Sequence, residues 1–268
     1  MDIIEDVSTS TLAYINRRWG MWFYSIGFLL IAISLYGAYH LGEGEIFIFP
    51  LVFFIFAYEY AREKTLQMFM IQFASVNGFE YSEGYIVDMQ GALFEKGNSK
   101  KVTNMVIGAY NHRRMRFFNY QFSIGVGRDK RVYDYTVCEI SLPGKAPNIL
   151  AESKELFDFN SFKKQHQKEM PLESSFQKHF EVYAPEDFDI ETFELFTPDV
   201  MVSLIDMAKG YDFEFIKDKL YIFRQKNIGN RVELHALVRL AEYLIQTLAP
   251  RIIRLQDDIA AIHAVRKT

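Results

Sequence analysis

The chain has a 21-residue apolar run without a charged residue from Trp19 to Tyr39, WGMWFYSIGFLLIAISLYGAY. As an α-helix this run is about 30 Å long, which matches the hydrocarbon thickness of a bilayer. Tryptophan and tyrosine residues lie towards both of its ends, where amphipathic rings favour the boundary with water. A buried helix of a soluble domain seldom has so many residues without a polar face, so the run predicts a transmembrane helix.

A cleaved signal peptide would place a similar apolar run near the N-terminus. Here the run is longer than the apolar core of a signal peptide, and no small-residue cleavage site follows it. The first six residues carry the acids Asp2, Glu5 and Asp6, where a signal peptide has basic residues. The run therefore indicates a retained anchor.

A second apolar run, Ile46 to Tyr58, follows the polar stretch HLGEGE at residues 40–45. As a helix it is about 20 Å long, so a full span requires a thinner bilayer or flanking residues that reach the interface. We predict a transmembrane helical hairpin over residues 19–61, with residues 40–45 as its outer turn. The alternative is a re-entrant or interfacial second run, which would leave the rest of the chain outside.

The basic residues near these runs predict the orientation of the hairpin. Arg17 and Arg18 precede the first run, and Arg62 and Lys64 follow the second, whereas the turn between them has no Lys or Arg. The positive-inside rule then places both termini in the cytoplasm of a bacterial cell, with two spans in the inner membrane. Neither run has an ionisable residue near its middle, so the hairpin is predicted to anchor the protein rather than to transport ions.

The remaining length is sufficient for one soluble domain. We predict an N-terminal cytoplasmic segment at residues 1–18, the hairpin at residues 19–61 and a soluble domain at residues 62–268. The 25 phenylalanines and 16 tyrosines supply enough apolar surface for a sizeable core. The single cysteine, Cys138, excludes an internal disulfide and agrees with a reducing compartment.

Within the soluble part, hydrophobic periodicity predicts an α+β fold that is mainly antiparallel β with flanking amphipathic helices. Three strands are predicted in VTNMVIGAY, RRMRFFNYQFSI and RVYDYTVCEISL, with turns at residues 111–112 and 125–130. In the second strand the apolar side changes between Phe117 and Phe118, which predicts either a bulge or burial on both faces.

Helices are predicted on both sides of these strands in the sequence. The first continues the second apolar run and ends at Asn77-Gly78, and another begins at Thr197-Pro198 and ends at Gly210. Residues 211–225 predict a hairpin that turns at Asp218-Lys219. The last is an amphipathic helix that Pro250 should break.

Several short segments between Phe79 and Tyr243 resemble a bacterial family of unknown function. In chain order the segments are GALFEKG, VTNMVIGAY, PLESSF, HFEVYAPEDFD, FTPDVMVSLI and LYIF. Each segment is short, and their order is what carries the resemblance. It implies a two-helix membrane anchor followed by a soluble α+β domain, and it implies no catalytic or binding residues.

Sequence motifs for catalysis or cofactor binding are incomplete. GVGRDK lacks the third glycine of a dinucleotide loop, PGKA lacks the flanking residues of a phosphate loop, and DFDIE lacks the turn glycine and terminal glutamate of a calcium loop. The six histidines form no HxH or HxxxH pair, and one cysteine cannot complete a zinc site. We therefore predict no catalytic, cofactor or metal residue.

The most suggestive remaining feature is a basic cluster around the predicted turn at residues 111–112. A contact with anionic lipid or with a protein partner is predicted for Arg113, Arg114, Arg116, Lys100 and Lys101. The alternative is an ordinary hairpin turn with solvated arginines. The sequence pI of 5.9 and the lack of a known binding module argue against nucleic acid as a partner.

These features predict a membrane-anchored cytoplasmic module that binds the bilayer and a protein partner and has no catalysis of its own. One alternative is a membrane-tethered hydrolase with a site assembled from distant residues. Another is a domain that senses anionic lipid through the basic cluster.

Overall fold

The computed structural model describes residues 7–41, 48–85, 89–154, 162 and 167–265, and these form an α+β fold with a seven-stranded antiparallel sheet. The helices are α1 (Val7–Arg18), α2 (Gly20–Leu41), α3 (Ile48–Asn77), α4 (Ala92–Glu95), α5 (Ser174–Gln177), α6 (Asp189–Leu195), α7 (Pro198–Met207) and α8 (Arg231–Val265). The strands are β1 (Glu80–Ser82), β2 (Asn98–Tyr110), β3 (Arg113–Ile124), β4 (Arg131–Ser153), β5 (Gln167–Glu169), β6 (Phe180–Pro185) and β7 (Asp212–Arg224).

Helix α3 joins the apolar N-terminal part of the chain to the sheet. It has 30 residues and is therefore about 45 Å long. Its first third is the second apolar run, and its last third packs on the sheet. The packing side chains are Leu66, Phe69, Met70 and Phe73, which recur at three- and four-residue spacing and are buried. The Phe73 ring lies edge-on to Phe117 of β3, with centroids 5.3 Å apart.

Helices α1 and α2 pack along different parts of α3. The side chain of Ile15 in α1 is buried, and α1 lies beside the part of α3 that includes Thr65 and Gln72. The break between α1 and α2 lies next to Gly20, whose φ of 46° is in the left-handed region that favours glycine. Helix α2 then runs antiparallel to the first part of α3.

The described residues contain one helix that is long and apolar enough to cross a membrane, Gly20–His40, with mean hydropathy 1.7. Only 22% of the most apolar 18-residue stretch of this helix is buried, whereas the core helix of a soluble protein is mostly buried. The described part of the second apolar run is the first part of α3, a helix that continues as a polar and then a core-packing segment. The structure thus shows one apolar N-terminal helix and does not show the predicted two-span hairpin. Residues 42–45 of the predicted turn lie outside the described residues.

The sheet is organised around β4. The strand order is β1-β2-β3-β4-β6-β5, and β7 pairs with β4 along its opposite edge. The first part of β4 pairs with β3 and its last residues pair with β6, so this 23-residue strand connects the two halves of the sheet.

The three predicted strands are present as β2, β3 and the start of β4. Asn111 and His112 form the β2–β3 turn with φ values of 49° and 60°, as in a two-residue type I′ hairpin. Residues 115–120 of β3 are buried without a break in its pairing to β4. Burial on both faces, one of the two predicted alternatives, therefore explains the change of apolar side at residues 117–118.

Two predictions from local signals were wrong. Residues 212–224 form the single strand β7 instead of a hairpin, and the partner strand β4 continues through LPGKAP with shifts of register. Both strands remain extended because β4 and β7 pair with each other on either side of these register shifts. Helix α8 continues through Pro250, since Leu248 and Ile252 on either side are buried in the same core.

Two cores lie on opposite faces of the sheet. The larger core is covered by α3, α7 and α8. The smaller core is rich in aromatic rings and is covered by α4 and Phe162. The backbone N–H of Ala92, at the start of α4, donates to the buried Glu214 carboxylate at 2.6 Å and fixes α4 on this face.

Truncation of Phe73 tests whether α3 is fixed to the sheet by its aromatic contacts. We expect Phe73→Ala to lower the free energy of unfolding by about 3–5 kcal/mol, because the side chain is almost fully buried between α3 and β3. Equilibrium urea unfolding of the full chain in mild detergent measures this change. The control Val76→Ala, on the exposed side of α3, should change it by less than about 0.5 kcal/mol. Equal effects of the two substitutions would contradict this packing.

Candidate binding cleft

A polar cleft of about 420 Å³ lies between α3 and the edge of the sheet that begins with β1 and β2. Its walls come from α3, the loop after β1, the start of β2, the middle of β3 and the segment after β7. The lining residues are Glu63, Lys64, Leu66, Gln67, Tyr81, Glu83, Gly84, Lys101, Val102, Thr103, Asn104, Asn119, Tyr120, Gln121, Asp134 and Asn227. The residues on α3 follow directly after its apolar part.

An irregularity in β2 forms the floor of this cleft. The pairing of β2 with β3 shifts between Thr103 and Val106, and Asn104 within the shift has a φ of 53°. Asparagine tolerates this left-handed conformation better than most residues. The N–H of Asn104 donates to the carbonyl of Glu83 at 3.0 Å, which holds the loop after β1 against β2. A Cβ atom on Gly84 would lie 2.6 Å from the Val102 carbonyl oxygen, so only glycine allows this close approach.

A chain of side-chain hydrogen bonds crosses the floor. The Tyr81 hydroxyl donates to Asn104 Oδ1 at 3.0 Å, and Asn104 Nδ2 donates to Asn119 Oδ1 at 3.3 Å. Asn119 Nδ2 in turn donates to Asn227 Oδ1 at 2.8 Å. Residues from four separate segments are joined in this way, so the polar atoms of the floor are held in fixed positions. Burial raises the pKa of Tyr81, and its hydrogen bond with Gln67 partly offsets this rise.

The charged side chains of the cleft are mixed in sign. It has the carboxylates of Glu63, Glu83 and Asp134 and the ammonium groups of Lys64 and Lys101, which leaves a formal excess of one negative charge. Two of these charges bond to neighbouring amides. Lys64 Nζ donates to Gln67 Oε1 at 3.1 Å, and Gln121 Nε2 donates to Asp134 Oδ1 at 2.8 Å. The cleft therefore offers many donors and acceptors without a strong field of one sign.

A second concave surface, which we call the aromatic groove, lies between α2 and the first part of α3. Its volume is about 740 Å³, and its lining residues are Arg18, Trp19, Trp22, Phe23, Ile26, Phe53, Phe56, Ala57 and Tyr60. Trp19 stacks on Tyr60, with centroids 5.8 Å apart, and Phe23 stacks on Phe53 at 5.7 Å. With one charged residue at its rim, the groove is suited to an apolar occupant.

The predicted basic cluster is not one surface. Lys101 pairs with Gln121, while Ala109, which is eight residues further along β2, pairs with Arg114. These positions are roughly 25 Å apart. Lys100 and Lys101 are exposed at the end of β2 next to the cleft, and the Lys100 ammonium donates to the Phe94 carbonyl. Arg113 and Arg114 lie at the opposite end, beside the β2–β3 turn. Lipid or partner contact stays a prediction for these four residues.

Arg116 differs from the other four because it is buried inside the sheet. It is 4% exposed and makes two hydrogen bonds to the Glu139 carboxylate on β4, the neighbouring strand. Lys219 Nζ on β7 lies 3.5 Å from the same carboxylate. Burial and, to a smaller extent, the Glu139 charge raise the pKa of the adjacent Tyr221. The Arg116 guanidinium is thus a structural group, and the sequence-based expectation of surface contact does not fit it.

Sequence reasoning did not identify the cleft. Its residues are spread from position 63 to position 227, and no short motif contains more than a few of them. The available signal was the presence of Asn104 and Asn119 inside predicted strands, where asparagine is depleted. Among the described residues, no group of three His, Cys, Asp or Glu side chains could hold a metal ion.

Removal of Arg116 tests the buried ion pair. We expect Arg116→Ala to lower the free energy of unfolding by about 3–5 kcal/mol, because it leaves the Glu139 carboxylate buried with only Lys219 nearby. The matched control Arg114→Ala, at an exposed position two residues earlier, should change it by less than about 0.5 kcal/mol. Urea unfolding of the two variants measures the difference. If the double variant Arg116→Met/Glu139→Leu were as unstable as Arg116→Ala, the unpaired charge would not be the cause.

Comparisons with known proteins reveal a similarity of fold. No family model matches the chain, and no curated protein matches it. Among solved structures it is similar to the crystal structure of the mycobacterial trehalose monomycolate transport factor A, TtfA, with a TM-score of 0.52 and 11% sequence identity. The similarity covers 68% of this chain and 94% of that chain. At this identity the two proteins share a fold, and the match by itself assigns no activity.

Proposed function

We propose that this protein is a membrane-anchored accessory module of a transport-related process, in which its cytoplasmic domain acts by binding and not by catalysis. The binding partners in this proposal are the bilayer and a protein, with no role for nucleic acid. The observation that carries the proposal is the exposed apolar surface of α2.

The exposure of α2 supports insertion into lipid. Trp22 is 78% exposed, Phe28 75% and Tyr39 85%, and they belong to a long series of exposed large apolar side chains on this helix. Apolar surface in water costs about 25 cal/mol per Å², so a helix of this kind is unfavourable unless something apolar covers it. A bilayer covers the full circumference of a helix, whereas a protein partner covers one side.

The antiparallel packing of α2 on α3 supports a second crossing, which the proposal includes. A Cβ atom on Gly27 would lie 2.4 Å from Phe54 Cζ, so the glycine lets α2 approach α3 closely, as small residues do between membrane helices. Large side chains on the first part of α3, such as Phe49 and Phe56, are exposed. The positive-inside rule places the domain in the cytoplasm, on the side of Arg17, Arg18, Arg62 and Lys64.

The likeness to TtfA supports an accessory role. That protein is described as a transport factor, and the shared fold covers most of its length. A fold can host many functions, so the likeness supports the class of role and no particular substrate. The cleft beside α3 gives the proposed module a place to bind a polar group close to the membrane.

Single-cysteine labelling tests the proposed topology. The native Cys138 is fully buried, and burial raises its pKa well above the usual thiol value, so it should stay unlabelled by a membrane-impermeant maleimide. We expect Glu45→Cys to be labelled in intact bacterial cells and His112→Cys, in the exposed β2–β3 turn, to be labelled only after lysis. The chain with Cys138 alone is the control. Labelling of His112→Cys in intact cells, or extraction of the chain from membranes by alkaline carbonate, would contradict the proposal.

A further inference from the structure

We infer that the polar cleft and the aromatic groove together bind one membrane lipid that has an uncharged, polyhydroxylated headgroup. The headgroup occupies the cleft, and an acyl chain occupies the groove. This inference rests on the proposed membrane anchoring and adds the chemical class of the ligand.

The two surfaces share one face of α3. Phe53, Ala57 and Tyr60 line the groove, and Lys64 and Gln67 line the cleft. Their spacings of four, three, four and three residues place all five side chains on the same side of a helix. From Phe53 to Gln67 this face is about 21 Å long, which is comparable with an acyl chain followed by a headgroup. An amphiphilic molecule that lies along this face of α3 therefore contacts apolar side chains in the groove and polar side chains in the cleft.

The groove lies next to the boundary between the hydrocarbon and the headgroups, where an acyl chain would contact the protein. Trp19 and Tyr60 lie at its end next to the cleft, with Arg18 at the same end. Tryptophan, tyrosine and arginine are the residues that mark the boundary between hydrocarbon and headgroups. The cleft begins one turn further along α3, at Glu63 and Lys64, and thus at the depth of the headgroups.

The side chains of the cleft favour hydroxyl groups as ligands. A hydroxyl both donates and accepts, and so does a carboxamide, of which the cleft has five: Gln67, Asn104, Asn119, Gln121 and Asn227. Carboxylates accept from hydroxyls, and ammonium groups donate to them. The excess of one negative charge disfavours a phosphate, because like charges at short range repel.

The floor of the cleft is fixed before any ligand binds. Asn104, Asn119 and Asn227 are bonded to one another, and Asn119 is only 5% exposed. Polar groups that are already held in place lose little conformational freedom on binding, which increases affinity and selectivity. This arrangement differs from a surface of solvated side chains, which would have to be ordered by the ligand.

The two tryptophans of the chain make the inference measurable, because both Trp19 and Trp22 line the groove. The full chain is reconstituted into phosphatidylcholine bilayers that contain a small fraction of a lipid with dibrominated acyl chains, which quench tryptophan on contact. Three brominated lipids are compared: monoglucosyl diacylglycerol, phosphatidylglycerol and phosphatidylcholine. We expect half-maximal quenching at about a tenfold lower fraction of the glucosyl lipid than of the other two.

Variants of the cleft and a matched control complete the experiment. Gln67→Ala/Glu83→Ala removes two polar groups of the cleft, and we expect it to abolish the tenfold preference. Gln72→Ala/Glu80→Ala changes the same residue types outside the cleft, and this control should keep the tenfold preference. Circular dichroism checks that both variants are folded. Retention of the preference by the folded cleft variant would overturn the inference.

The remaining outcomes separate this inference from the proposed function. Equal quenching by all three brominated lipids would overturn the inference and leave the membrane anchor intact. Quenching by none of them would contradict the anchor itself. Free methyl glucoside in the buffer should not relieve the quenching at millimolar concentration. If it did, the cleft would bind a soluble sugar and the lipid would not be the occupant.

Discussion

The contact of Phe69, Met70 and Phe73 with the sheet determines how the rest of the molecule is placed. These side chains are buried in the larger core, and they belong to the same unbroken helix as the second apolar run. An α-helix is stiff and keeps the direction of its axis, because each turn is hydrogen-bonded to the next. The position of the sheet relative to the apolar helices therefore follows from a single packed segment, and the cleft lies where α3 changes from its apolar part to its core-packing part.

Within the sheet, buried charges are matched by partners on neighbouring strands and segments. Arg116 on β3 meets Glu139 on β4, and the Glu214 carboxylate on β7 accepts from the backbone of α4. Asp212 accepts from the Ser153 N–H at 2.7 Å. A buried charge is tolerable only when it is hydrogen-bonded, so each of these pairs allows one relative position of two segments. The long strand β4 takes part in two of them, in agreement with its role as the connection between the two halves of the sheet.

Much of the α+β fold could be predicted from the sequence, because local signals were strong where the chain pairs with its immediate neighbours. The β2–β3 hairpin is an example, since the turn residues Asn111 and His112 tolerate positive φ. Local signals gave wrong predictions where contacts between segments far apart in the sequence determine the secondary structure. The turn predicted at residues 218–219 is absent because residues 212–224 pair with β4 on both sides of the irregularity. A continuous α8 likewise depends on a core that the residues around Pro250 share with the sheet.

The candidate site could not be predicted, for a related physical reason. Its floor requires Tyr81, Asn104, Asn119 and Asn227 to meet, and their separation in sequence hides that arrangement. The basic cluster, in contrast, is compact in sequence and dispersed in space, because β2 and β3 carry its members to opposite ends of a hairpin. Arg116 lies in the part of β3 that is buried on both faces, and a single sequence does not reveal that Glu139 lies opposite it.

The central claim of the proposed function is that α3 holds the cleft at the membrane surface and directs the β2–β3 turn away from it. Spin labels attached at Glu83→Cys, on the rim of the cleft, and at His112→Cys, at the turn, measure this directly through the depth of each nitroxide in reconstituted bilayers. The account predicts that the label at position 83 lies close to the lipid phosphates and that the label at position 112 lies roughly 20 Å further into the water. Equal depths for the two labels, or a label at position 112 nearer to the lipid, would contradict it.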